Sequence, residues 1–134
     1  MNFSIATQGH GDFINITDHV AAALKKAKIK DGVAVIFVSA STAALTALEF
    51  EDGLISDLKN IFEKIAPENF AYQHHQKWGD HNGAAHIWSA LIGPDLSIPI
   101  EAGKLLLGTW HQIVLIDFDE KPRTREVIVK FIKA

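Results

Sequence analysis

The sequence predicts one compact α+β domain over residues 1–134, a mostly antiparallel sheet carrying two main helices. Three observations lead there. Two segments repeat their apolar residues at helical spacing, and the remaining apolar runs are short, rich in β-branched residues and bounded by Gly, Pro and Asp turns. The chain has 134 residues, 48% of them hydrophobic, which suffices for one core and is too short for two.

Residues 2–8 and 12–16 read as strands around Gly9-His10-Gly11, and a hairpin is the simplest way to join them. From Thr17-Asp18, Val20, Ala23, Leu24 and Ala27 mark an amphipathic helix that stops before Asp31-Gly32, with Lys25, Lys26 and Lys28 at its negative end. Val33 to Val38 is continuously apolar, the pattern of a strand covered on both faces. After Ser39-Ala40-Ser41-Thr42, the run Ala43 to Glu49 is strand-like or helical, which periodicity alone does not settle, and we read it as a strand. A second helix opens at Asp52-Gly53, carries Leu54, Leu58, Ile61, Phe62 and Ile65, and ends at Ala66-Pro67. Glu68 to Gly83 is polar and aromatic with little periodicity and reads as a functional loop. The last third reads as β throughout: Ala84 to Ile92, Ser97 to Ile100, Gln112 to Phe118 and Arg125 to Ile132, with a turn at Asp119-Glu120-Lys121-Pro122.

Composition narrows the function. Thirteen Lys+Arg against 16 Asp+Glu give a charge of -3, unlike a surface built to neutralise nucleic-acid phosphates. There is no cysteine, so thiolate catalysis, disulfides and Cys-ligated metals are excluded. No signal-peptide pattern and no membrane-length apolar run is present, and the expected location is the cytoplasm.

Histidines crowd the C-terminal half: His74, His75, His81, His86 and His111. A zinc site without cysteine needs about three His or carboxylate ligands plus water, and no compact zinc signature is present. A strand over residues 84–92 places His86 on one face with Trp88, Ala90 and Ile92, as a ligand or as a hydrogen-bonded structural residue. His75 and His81 read as exposed loop residues. Glu51 and Asp52 suit the positive end of a helix, whereas Glu49 and Asp57 fit that role less well and are candidates for a metal ligand or general base. Ser41-Thr42, following a buried strand, forms either an anion site or a simple turn. Arg123 and Arg125 share one side if extended, as a phosphate or carboxylate clamp or as solvated charges. The run from Gly103 to Trp110 suits an oligomer contact or a core turn equally.

Taken together, Val38-Ser39-Ala40-Ser41-Thr42-Ala43-Ala44-Leu45-Thr46 with Glu49, Tyr72-Gln73-His74, Asn82-Gly83-Ala84-Ala85-His86, Ile98-Pro99-Ile100, Gly103 to Trp110 and Pro122-Arg123-Thr124-Arg125 resemble the YjbQ-like family over almost the whole chain. The resemblance implies a barrel-like sheet, a homotrimer and a secondary thiamine-phosphate-synthase activity. That reaction joins hydroxymethylpyrimidine diphosphate to thiazole phosphate with release of pyrophosphate. Residue type and resemblance together give Glu49, His74, His86 and Asn82 as catalytic candidates. Ser41, Thr42, Arg123 and Arg125 become phosphate ligands, and His74, His86 and Asp57 metal ligands. The implied cofactor is zinc at the histidines, or magnesium brought in with the diphosphate. Relatives often carry His-Thr-Thr where this chain has Ala40-Ser41-Thr42, and Gln directly after the tryptophan where it has His111. The alternative functions are a non-enzymatic trimer that binds a metal or small anion, and a metal-dependent hydrolase. Nucleic acid and membrane are not expected partners.

Overall fold

A computed structural model describes all residues, 1–134. In chain order the elements are β1 (Asn2–Thr7), β2 (Asp12–Asn15), α1 (Thr17–Ala27), β3 (Gly32–Val38), β4 (Ala43–Glu49), α2 (Asp52–Ile65), α3 (Gln73–Trp78), α4 (Gly83–Ile92), β5 (Asp95–Glu101), β6 (Lys104–Leu105), β7 (His111–Asp117) and β8 (Arg123–Lys133). The strands form a strongly curled antiparallel half-barrel of five, in the order β1-β8-β3-β5-β6, and a second sheet of three, β2-β7-β4. No helix is long and apolar enough to cross a membrane.

The apolar interior falls into two main layers. One lies between the sheets, where Ile36, Val38, Val127 and Val129 meet Leu45, Ile113 and Leu115, and Val20 of α1 closes its edge. The other lies between the three-stranded sheet and the helices, where Ala44, Val114 and Ile116 meet Phe62 of α2 and Ala84, Ala85 and Trp88 of α4. β7 is therefore the strand covered on both faces, with Ile113 to Ile116 fully buried. β3, expected in that role, buries Ala34, Ile36 and Val38 while Phe37 is exposed and Val33 and Val35 are half-buried.

Three local expectations are corrected. First, residues 84–92 are a helix, and the residues they bury, Ala84, Ala85, Trp88 and Ser89, repeat at helical spacing. The alternating reading failed because Ile87 and Leu91 are apolar too but face outward, leaving no polar face to reveal the period. Trp88 is fixed by its indole N–H, which donates to the Phe62 carbonyl at 2.7 Å.

Second, the loop expected at 68–83 contains α3, capped at its end by left-handed Gly79, whose N–H donates to the His75 carbonyl. Together with α1, α2 and α4 this gives four helices, two more than the main pair expected. Third, β1 and β2 do not form a hairpin, since β1 pairs with β8 and β2 with β7. Gly9, His10 and Gly11 are successively left-handed and carry the chain from one sheet to the other. A Cβ at Gly9 would lie 2.7 Å from the Asp119 carbonyl oxygen, so only glycine fits this crossing.

Candidate functional site

The candidate site lies where α3 and the N-terminal end of α4 meet the start of β4, the end of β7 and the start of β8. Arg123 and Arg125 begin β8, opposite Thr7 and Ile5 of β1. Their i, i+2 spacing does put them on one side, but toward the interior, where two carboxylates meet them. Arg125 pairs with Asp117 through Nε to Oδ2 at 2.7 Å and Nη2 to Oδ1 at 2.9 Å. It also donates through Nη2 to the Thr42 hydroxyl at 2.7 Å. Arg123 donates through Nε to Asp119 Oδ2 at 3.0 Å. Thr42 in turn donates to Asp119 Oδ2 at 2.9 Å, and Thr7 donates to Asp117 at 2.5 Å.

This network is closed on itself. Burial acts to raise the Asp117 carboxyl pKa, but hydrogen bonds from Arg125, Thr7 and the Asp119 N–H outweigh it and hold the group below the usual carboxylate range. Burial likewise acts upward on Asp119 and is outweighed by the Glu120 N–H, Thr42, Asn82 and the charge of Arg123. Two arginines and two carboxylates therefore remain ionised and cancel one another.

In front of the network stands a wall of different character. Asn82 Nδ2 donates to Asp119 Oδ1 at 3.3 Å, while its Oδ1 is buried without a partner. His74 Nδ1 lies 3.2 Å from Asp80 Oδ1, yet neither atom makes an aligned hydrogen bond. The His74 ring packs on His86 at a centroid distance of 4.4 Å. Burial lowers the His86 pKa, and the neighbouring His74 lowers it further against the opposing pull of Asp119 and Asp80. His86 is thus neutral at neutral pH. It also lines a cavity of about 300 Å³ together with Ser41 and Ser89. The Ser89 hydroxyl is buried and unpartnered, its residue only 5% exposed.

The sequence-derived candidates divide accordingly. Ser41, His74, His86 and Asn82 come together at the wall and cavity, whereas Thr42, Arg123 and Arg125 belong to the internal network. Arg125 has its donors engaged by Asp117 and Thr42 and is no free clamp. Glu49 ends β4 exposed, opposite His111, and Asp57 is exposed on α2. Glu51 caps α2 by accepting from the Leu54 N–H, as its position suggested. His75 is half-buried rather than exposed, its Nε2 accepting from the Gly83 N–H at 2.9 Å at the start of α4. That bond satisfies a helix-terminal donor and makes His75 a structural residue. His81 is exposed as expected.

Asp80, Asp117, Asp119 and Ser89 were missed. For Asp117 and Asp119 a signal existed: two acids at i, i+2 closing an apolar strand, matched by two arginines at i, i+2 opening the next. Ser89 carried none, since its burial depends on residues 84–92 being helical.

The zinc fit fails within one chain. His74 and His86 are neighbours, but no three His, Asp or Glu side chains converge in a metal-binding group, and Asp57 does not join them.

Comparison with known proteins gives a consistent result. A family model described as "UPF0047 protein YjbQ-like" matches residues 1–134. A UPF0047 protein of Archaeoglobus fulgidus is 37% identical over 130 residues, covering 97% of this chain and 98% of that one. The UPF0047 protein YugU of Bacillus subtilis is 33% identical, covering 96% and 95%. Among solved structures, an uncharacterised YjbQ/UPF0047 family protein from Clostridium acetobutylicum superposes with a TM-score of 0.90 at 36% identity, covering 98% and 99%. A protein of unknown function from Sulfolobus solfataricus gives 0.90 at 29% identity, covering 100% and 97%.

Proposed function

We propose, from the premise that the chain belongs to the YjbQ-like UPF0047 family, that it is a secondary thiamine-phosphate-synthase-type transferase whose substrates meet at the Ser41–His86–Ser89 cavity. One observation carries the reading: the Ser89 hydroxyl is buried without a partner at the cavity that Ser41 and His86 line, and Asn82 Oδ1, at the start of the same helix, is buried and unpartnered too. Buried polar groups are normally paired, so such atoms are an unmet demand for a ligand.

The reaction requires little acid–base chemistry. The bond from the pyrimidine methylene carbon to the diphosphate oxygen breaks, the thiazole nitrogen bonds to that carbon, and pyrophosphate leaves with the bonding electrons. The protein's task is to orient the partners and to stabilise the leaving oxygens. The Ser41 and Ser89 hydroxyls donate to phosphate oxygens, and His86, uncharged, donates one ring N–H. Arg123, partly exposed, contributes positive charge from behind. Because the network's charges cancel and Asp80 adds a negative one, the diphosphate arrives with magnesium as its counter-ion. The oxygens of Asp80 and Asn82 suit such a hard ion.

The reading includes a homotrimer. Ile87 and Leu91, the latter 61% exposed, form an apolar stripe on the outer face of α4 beside the wall. A neighbouring subunit covering it would be placed to meet the unpartnered atoms, and sedimentation of the purified chain at about threefold its monomer mass is the expected result.

The decisive test follows thiamine phosphate and pyrophosphate formation from the two precursors with magnesium. Turnover above a protein-free control is expected, falling at least about tenfold in His86→Ala and Ser41→Ala. Turnover unchanged in both variants, or absent in the parent, overturns the reading. A binding protein without catalysis is the second reading, favoured by the absence of any charged side chain from the cavity lining. Pyrophosphate binding that survives without turnover selects it.

A further inference from the structure

A second cavity shares no lining residue with the candidate site. A cavity of about 500 Å³ lies between the end of α1 and the β5–β6 turn, and Lys25, Lys28, Lys30 and Lys104 line it without a single carboxylate. None of these lysines makes an ion pair; every ion pair in the chain uses His or Arg. Lys25 and Lys28 suit the negative end of α1, and that role accounts for them. It does not account for Lys30 and Lys104, which come from other segments and complete the ring. The Lys30 ammonium lies over the turn, with Nζ 3.9 Å from where a Gly103 Cβ would sit. Asp31, the carboxylate of the adjoining turn, accepts from the Ala102 N–H and stays out of the lining.

The turn that closes the cavity is set by its backbone. Ala102 (φ 49°) and Gly103 (φ 77°) are both left-handed and join Glu101 to Lys104 as a two-residue hairpin. Lys28 is left-handed as well, at φ 57°. The cavity floor is apolar, with Ala21, Leu24 and Ile29. Leu24 and Lys104 also line an adjoining trough of about 260 Å³ that continues past Leu105 and Leu107. A cationic mouth thus opens onto an apolar trough.

We infer that this groove binds a small, soluble phosphorylated amphiphile, its dianionic head among the four lysines and its apolar body along Leu24, Leu105 and Leu107. Charge complementarity selects the head, since the lining offers ammonium groups and no competing carboxylate. The volumes fit one small molecule. A membrane surface is the poorer match, because the lysines line a concavity and the whole chain carries a net charge of -3. None of α1, β5 or β6 contributes to the candidate site at α3 and α4, so this inference is independent of the transferase reading.

Octyl phosphate below its micelle concentration is the probe, with titration heat and amide chemical shifts as readouts. Saturable binding is expected, with the Ala21, Leu24 and Gly103 amides moving. Affinity should exceed that of inorganic phosphate by about tenfold or more, because several methylenes leave water. Lys28→Gln with Lys104→Gln should weaken it about tenfold, as should raising salt, while Lys64→Gln with Lys77→Gln on other elements should not. Saturation absent at millimolar probe, or equal weakening in both pairs, overturns the proposal. Binding to vesicles containing phosphatidic acid without binding of monomeric octyl phosphate also overturns it, by assigning the lysines to a lipid surface.

Discussion

The two polar layers at the end of β7 share a border at Asn82 and differ in one respect. In the rear layer, Thr7, Thr42, Asp117, Asp119, Arg123 and Arg125 satisfy one another. In the front layer, Asn82 and Ser89 each keep a buried atom without a partner, and His74 and Asp80 meet at 3.2 Å without an aligned hydrogen bond. A paired buried charge resists the loss of its partner, whereas an unpaired polar atom detracts from the stability of the folded chain until something binds it. The rear layer is therefore scaffold and the front layer is receptive surface, and substitutions should separate them.

The largest effect is expected behind the wall. Asp117→Ala strips Arg125 of its bidentate partner, leaving as its ion pair only the longer 3.6 Å approach to Asp119, and should lower unfolding free energy by about 3 kcal/mol in urea titration. A loss below about 1 kcal/mol would place the network at the surface in energetic terms. The same network sets the acid limit. Asp117 and Asp119 have carboxyl pKa values depressed by folding. The stability they supply is complete above the unfolded carboxylate range, about pH 4, and is lost as pH falls through their folded values. Arg125→Met raises the folded value of Asp117, so in circular dichroism its acid transition should begin at a higher pH than the parent's.

Smaller effects, of opposite sign, are expected in front. Ser89→Ala removes an unpartnered buried hydroxyl and should leave stability unchanged or raise it by up to about 1 kcal/mol. Thermal unfolding of the variant checks this, and a clear loss would mean that the hydroxyl is satisfied in solution. The smallest effect is a titration. With a folded pKa below its unfolded value of about 6.5, His86 supplies stability above that pH and loses it as pH falls through the folded value. Removing the neighbouring imidazole in His74→Ala should move the His86 midpoint upward by NMR, since its repulsion is one of the two causes of the shift.

How far the sequence carried the reading varies along the chain for physical reasons. α1 and α2 were legible because each pairs an apolar stripe with charges on the other face, and β3, β7 and β8 because β-branched runs end in turn residues, whereas β4, with Thr46 as its one β-branched residue, left strand and helix open by periodicity. α4 was not, since Ile87, Trp88, Leu91 and Ile92 give it apolar residues on nearly every side. That one misreading hid the site's assembly: helical spacing sets His86 and Ser89 beside one cavity, where strand alternation separates them. The partition of β1 and β2 into different sheets was equally hidden, because Gly9-His10-Gly11 has the composition of a hairpin turn and only its contact with Asp117 and Asp119 makes it a crossing. His74 and Asn82 were found by residue type and resemblance, while the contact by which Asp119 orients Asn82 from 37 residues away could come only from the fold.

The strand order also has a consequence for biosynthesis. β8, translated after β1 to β7, lies between β1 and β3, pairing with the first strand along residues 2–7 and with the third along 32–38. A nascent chain halted before residue 123 can assemble β2, β7 and β4 but leaves β1 without its neighbour and β3 open on one side. Folding of the five-stranded half-barrel therefore waits on β8 and is governed by distant pairings that form slowly. Until β8 docks, the edges of β1 and β3 stand exposed to pairing with other chains, and that interval is the window in which a chaperone would matter most.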